Sequence, residues 1–243
     1  MSAATARARL AFPLDYPTLE AARRGAELVY ESAGVLKVGL ELFVREGPAS
    51  LRLGAELGCD VFLDLKLHDI PQTVARAVAS AAQLGARYLT LHAQGGPRML
   101  EAAQERATRE GTGLVLLAVT VLTSLDAADL HATGVADEPA TQALRLAHLA
   151  RSAGIQGLVC STAEVQALRA ALGPDAVLVT PGIRPQLLGG DDQKRVGTPS
   201  QALRAGATLL VVGRPIRDAE SPRQAARAVL DEMSEALGET ATT

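Results

Sequence analysis

The sequence predicts an α/β chain folded as a single closed (β/α)8 barrel, on three observations. A helix-stopping glycine recurs before short apolar runs: Gly34 before Val35, Gly58 before Val61, Gly85 before Tyr88, Gly154 before Gly157 and Gly206 before Leu209. Each reads as a helix closed by a C′ glycine, then a short loop and a strand, and repeated helix-to-strand units imply a parallel sheet. Eight such units fit 243 residues, a normal length for one barrel of the TIM type. Polar residues also fall at the C-terminal ends of the expected strands, which a parallel barrel gathers on one face. An open doubly wound sheet is the structural alternative.

The strands are expected over residues 10–15, 35–40, 61–66, 88–92, 114–120, 157–160, 177–180 and 209–212. Helices fill the intervals. Thr18 suits the cap of the first, whose Leu19, Ala22, Ala26 and Val29 form one apolar stripe. Pro71 suits the first turn of the helix after the third strand, ahead of Val74, Ala77, Val78, Ala81 and Leu84. No linker or low-complexity run divides the chain. Residues 1–243 are therefore expected to form one domain, frayed at about 1–9 and 238–243.

Composition excludes several function classes. The chain is 48% apolar with 2% aromatics and no tryptophan, so its core must come from Leu, Val, Ala and Ile. A net charge of −3 gives no basis for bulk binding to nucleic acid or to an anionic membrane. Cys59 and Cys160 offer neither metal spacing nor a disulfide framework, which suits a reducing compartment. The N-terminal arginines lack the apolar stretch of a signal peptide, and no run reaches the roughly 18 apolar residues of a membrane helix. A cytoplasmic protein is expected.

The chemistry concentrates in Phe62-Leu63-Asp64-Leu65-Lys66-Leu67-His68-Asp69-Ile70-Pro71. Strand side chains alternate faces, so Phe62, Asp64 and Lys66 share one side, while Val61, Leu63 and Leu65 make the other wholly apolar. A plain core strand would not carry two charges. Lysine usage sharpens the point. Of 24 basic residues only Lys37, Lys66 and Lys194 are lysines. Arginine stays protonated in proteins, whereas lysine can release and regain a proton.

Asp15, Lys37, Asp64, Lys66 and Asp69 form a first group. The plain reading is an ion-pair network closing the barrel top; the functional one is a catalytic array, because costly buried charges persist mostly where function uses them. Arg184, Gly213 and Arg214 form a second. They suit a phosphate grip on the loops after strands seven and eight, against a loop glycine and solvated arginines. Thr123 and Ser124, in Thr120-Val121-Leu122-Thr123-Ser124, suit either the amide edge of a ring or the capping of a turn. His68 and His92 read as packing or hydrogen-bonding residues, and no His, Asp or Glu set has metal spacing.

These motifs, in order, resemble the orotidine 5′-phosphate decarboxylase family of the bacterial type. The resemblance spans nearly the whole chain. It is carried by Asp15 in Leu14-Asp15-Tyr16-Pro17, by Leu36-Lys37-Val38-Gly39, and by Asp64-x-Lys66-x-x-Asp69-Ile70-Pro71-x-Thr73. Thr120 to Ser124, Thr180-Pro181-Gly182-Ile183-Arg184 and Val212-Gly213-Arg214-Pro215 complete it. The Asp-x-Lys-x-x-Asp motif alone is shared with related sugar-phosphate lyases, which use Mg²⁺ held by acidic residues; here the second strand offers Lys37. A silent nucleotide-binding barrel is the alternative from another class, and the intact Asp64, Lys66 and Asp69 speak against it.

The resemblance implies loss of CO2 from C6 of orotidine 5′-phosphate to give UMP, the last step of de novo pyrimidine synthesis, without metal or organic cofactor. It implies that Lys66 donates the proton and that Asp64 faces the substrate carboxylate, held by Lys37 and Lys66. Asp15 and Lys37 would contact the ribose, and Thr123 and Ser124 the pyrimidine. Arg184, Gln193, Gly213 and Arg214 would surround the phosphate. Asp69 and Thr73 would enter the partner's site in a homodimer. Gln193 rests on the Asp192-Gln193 match. Pro13 departs from the small or β-branched residue usual in the first strand, and proline cannot donate to a ladder.

Overall fold

The computed structural model describes residues 3–185 and 197–238. Eight strands close a barrel in chain order, each parallel to its neighbours. They are β1 (Leu10–Pro13), β2 (Val35–Val38), β3 (Asp60–Leu67), β4 (Tyr88–His92), β5 (Val115–Val119), β6 (Gly157–Val159), β7 (Val177–Thr180) and β8 (Leu209–Val211). Helices wrap the outside, and six of them matter below: α1 (Ala3–Ala8), α2 (Leu19–Val29), α3 (Leu40–Glu46), α4 (Pro71–Gln83), α5 (Arg214–Arg217) and α6 (Pro222–Ala236).

Two apolar layers follow from strand alternation. Ala11, Val35, Phe62, Leu117, Val179, Leu209 and Val211 fill the barrel interior. The opposite faces of the same strands, including Leu10, Phe12, Leu36, Val61 and Leu63, pack against the helices. Phe62 meets Tyr88 edge-on inside the barrel, with ring centroids 6.2 Å apart. With so few aromatics, branched aliphatic residues close the interior, and its upper end stays open.

Element ends depart from the sequence expectation. β1 stops at Pro13, leaving Asp15 beyond the ladder, and β2 stops at Val38 because Gly39 already precedes α3. β5, β6 and β8 are also shorter than expected, whereas β3 extends to Leu67. Hydrophobic runs continue where the chain leaves the ladder for a buried loop, so run length overstates strand length. Pro13 does little harm. Successive N–H groups point to opposite neighbours, and Leu14 N–H donates to Lys37 O at 2.8 Å. The missing donor therefore faces β8, at its last paired residues.

Within the N-terminal stretch expected to fray, Ala3–Ala8 form helix α1. Ala6 is fully buried, and the Arg7 guanidinium donates to Tyr30 O at 3.0 and 2.8 Å. Thr18 caps α2 by accepting from Ala21 N–H at 3.2 Å, and Pro71 opens α4, both as the sequence predicts.

Gly157 is required by close approach. A Cβ there would collide with the Leu116 carbonyl oxygen and the Leu117 side chain across the β5–β6 pair. Gly157→Ala should cost about 1–3 kcal/mol through this overpacking. The melting temperature should fall by several degrees in a thermal unfolding scan, and an unchanged midpoint would contradict the tight approach.

Candidate active site

The barrel mouth holds a cavity of about 280 Å³. Phe62, Val119, Val159, Val179 and Val211 line it from the apolar interior. Asp15, Lys37, Asp64 and Lys66 line one side; Thr123, Arg184, Gly213 and Arg214 line the rest of the rim. A mostly apolar chamber with a few convergent polar groups is the usual form of a small-molecule site.

Asp64 is the hub. Its side chain is 13% exposed, and it receives Lys66 Nζ on Oδ1 at 2.8 Å and Lys37 Nζ on Oδ2 at 3.2 Å. Lys37 also lies 3.6 Å from Asp15 Oδ1, so the charges alternate across β1, β2 and β3. Burial pushes the Asp64 carboxyl up. Lys37 and Lys66 act the other way, helped by hydrogen bonds from Lys66 and Thr90, and the net result lies below the usual carboxylate range.

Lys66 sits in an unusual backbone. Its φ is +50°, the only positive value among the described non-glycine residues. The cause is a register shift: Leu63 pairs with Leu89, but Leu67 pairs with Leu91, so β3 carries two more residues than β4 between the same rungs. The left-handed region costs roughly 1–2 kcal/mol for an L-residue. The bulge is held by Thr90, whose Oγ1 accepts from Lys66 N–H at 2.9 Å and donates to Asp64 Oδ1 at 2.9 Å.

Sequence reasoning missed Thr90. The signal was present, since Tyr88, Thr90 and His92 share the inward parity of β4 and Thr90 interrupts an apolar run. His92 lies 5.5 Å from His68, ring to ring. Burial lowers the His92 pKa, and His68 and Lys66 lower it further, in keeping with a neutral packing residue. Cys160 lines the cavity too, and burial pushes its thiol up to about 12, which disfavours the nucleophilic thiolate.

The other predicted residues divide. Arg184 is brought to the rim by a bridge between Ile183 and Gly197, with Arg184 N–H donating to Gly197 O at 2.9 Å. Gly213 ends the β8 turn just before α5. Asp69, Thr73 and Ser124 are exposed and do not line the cavity. Gln193 lies outside the described residues. Among those described, no three His, Cys, Asp or Glu side chains converge as a metal site.

Comparison with known proteins gives a consistent result. A family model described as "Orotidine 5'-phosphate decarboxylase / HUMPS family" matches residues 8–229. An orotidine 5′-phosphate decarboxylase of Anaeromyxobacter sp. (strain K) is 56% identical over 221 residues, covering 91% of this chain and 96% of the relative. One from Chromohalobacter salexigens is 50% identical over 226 residues, covering 93% and 96%. The crystal structure of orotidine 5′-phosphate decarboxylase from Lactobacillus acidophilus superposes with a TM-score of 0.80 at 34% identity, covering 92% of this chain and 98% of that one.

The charge balance around Asp64 has a pH consequence. A carboxyl held below its unfolded pKa contributes stability that is complete above the unfolded value and is lost as pH falls through the folded value. In Lys37→Met, the Asp64 carboxyl should titrate at higher pH than in the parent, and acid destabilisation should begin at higher pH. Carboxyl-carbon NMR titration would show it; an unmoved Asp64 titration would rule out Lys37 as a main support.

Proposed function

The chain belongs to the orotidine 5′-phosphate decarboxylase / HUMPS family, and we propose that it converts orotidine 5′-phosphate to UMP and CO2, with Lys66 protonating C6. The observation that carries this reading is the Lys37–Asp64–Lys66 array in the mouth of an otherwise apolar cavity. The reaction closes the pyrimidine pathway to UMP.

The mechanism follows from charge. Breaking the C6–carboxylate bond leaves an electron pair on a ring carbon. An ammonium on a rigid strand stabilises that pair and then transfers its proton, giving C6–H. Lys66 has this chemistry, and Asp64 fixes its Nζ at 2.8 Å. With substrate bound, Asp64 faces a second carboxylate. At about 4 Å and an effective dielectric near 20, two such charges repel by roughly 4 kcal/mol, and the repulsion ends as neutral CO2 departs. Residues on this chain suffice for these steps, so no cofactor enters the scheme.

The remaining contacts orient the substrate. Asp15 and Lys37 take the ribose, and Thr123 takes the pyrimidine edge. Arg184, Gln193, Gly213 and Arg214 take the phosphate. Binding at that distant end contributes to the chemical step by fixing the reacting carbon against Lys66.

The active unit in this proposal is a homodimer. Asp69 and Thr73 are exposed and are not among the residues lining their own chain's cavity, which suits a role in completing another's. Next to Asp69 in the chain, Ile70 is 66% exposed; elsewhere on the surface, Leu40 and Val44 on α3 are 51% and 80% exposed. Apolar side chains of this size suit burial against a second copy. The free, buried Cys59 and Cys160 suit a reducing, cytoplasmic setting, and no helix among the described residues is long and apolar enough to cross a membrane.

Two experiments test the reading. The protein, freed of added metal, should consume orotidine 5′-phosphate in an absorbance assay, and Lys66→Ala should lose at least about 1,000-fold in kcat while still binding UMP. An active Lys66→Ala enzyme refutes the donor role. Inactive Lys66→Ala and Asp69→Ala subunits, mixed under exchange, should recover activity in hybrid dimers carrying one intact site. A mixture that exchanges subunits yet stays inactive excludes the shared site.

A further inference from the structure

We propose that Thr90 is a positioning residue for the reaction, locking the bulged backbone of Lys66 to the carboxylate of Asp64. The inference rests on the roles given above to those two residues. Thr90 is fully buried on β4. Its Oγ1 lies 2.9 Å from Lys66 N and 2.9 Å from Asp64 Oδ1. A backbone N–H can only donate and an ionised carboxylate can only accept. The hydroxyl is therefore fixed at both ends: it accepts from Lys66 and gives its single hydrogen to Asp64.

The circuit closes on itself. Asp64 Oδ1 also receives Lys66 Nζ at 2.8 Å, so a chain of hydrogen bonds leaves Lys66 at its backbone nitrogen and returns at its side-chain nitrogen. The register shift between Leu63 and Leu67 interrupts the ladder to β4 around Lys66, and the Thr90 hydroxyl takes the Lys66 N–H. Without that hydroxyl, a partly buried N–H has no partner in a left-handed backbone already under strain, and the ammonium loses its fixed origin. A displaced ammonium is felt in the proton-transfer step far more than at the phosphate end of the ligand.

The charged and titratable groups facing Asp64 are Lys37 from β2, Lys66 on β3 and His92 from β4, with Asp15 reached through Lys37. Thr90 adds a hydrogen bond that favours the ionised carboxylate. Its removal should move the acid limb of kcat to higher pH.

Thr90→Val keeps the shape and deletes the hydroxyl; Thr90→Ser keeps the hydroxyl. With orotidine 5′-phosphate, Thr90→Val should lose about 10- to 100-fold in kcat with KM within about threefold, and its acid limb should rise. Thr90→Ser should return kcat to within about threefold of the parent. If Thr90→Val does not fold, Thr90→Ser and Thr90→Ala decide: both lack the methyl and differ by the hydroxyl, so a serine advantage of about 10-fold supports the inference and equal rates overturn it. Unchanged kcat and acid limb in Thr90→Val also overturn it. Lys66→Ala separates the failures. If it is inactive while Thr90→Val is fully active, only the Thr90 inference falls; if it is active, the assignment of Lys66 falls as well.

Discussion

The site depends on keeping one carboxylate ionised where little water reaches it. Asp64 is too buried to rely on solvent, and burial alone would favour its neutral form. Two ammonium groups and a hydroxyl replace the lost hydration. They come from three adjacent strands, so the barrel's closure supplies the electrostatics: β2 brings Lys37, β3 brings Lys66 and β4 brings Thr90. Each group is needed by the others, because a lone charge at this depth would be costly. That mutual need gives the array one arrangement instead of several.

The barrel divides labour along its axis. Its interior is filled with valine, leucine and Phe62, which hold the strands at fixed separations and exclude water from below. The polar rim is then attached partly to strands and partly to the segments that follow them. Lys37, Asp64, Lys66 and Thr90 are strand residues, whereas Thr123, Arg184 and Arg214 belong to the segments that follow strands. In the proposed reaction, the groups doing chemistry would stand on strands, and those holding the far end of the ligand on the segments that follow them.

Part of the constellation points outward. Asp69 and Thr73 follow directly from the motif that supplies Asp64 and Lys66, yet the chain turns so that they are exposed beside Ile70. In the proposed dimer, one short stretch serves the cavity of its own chain from β3 and offers residues to a second chain from the start of α4. The two cavities would then be linked through adjacent residues of a single strand–helix turn.

Much of this was legible in the sequence. Glycine punctuation and the apolar runs it introduces depend on local backbone preferences, so the eight alternating units could be counted without a structure. Asp64 and Lys66 were legible because charges at inward parity contradict a core strand, and Lys37 because lysine is rare in this chain. Strand ends were less legible: Asp15 and Leu40 continue polar or apolar patterns after the ladder has stopped. Ser124 reads like its neighbour Thr123, but the turn leaves it exposed outside the cavity lining.

The sequence by itself determined the alternation of helix and strand and which residue types gather at the strand ends, since both follow from short-range stereochemistry and parity. Only the tertiary structure decided the two-residue slip between β3 and β4, the left-handed turn at Lys66 and the hydroxyl of Thr90 that spans it. Registry between strands is a relation across more than twenty residues of chain. No glycine marks the bulge, so nothing local announces it. The strain is tolerated because the contacts that offset it come from the neighbouring strand.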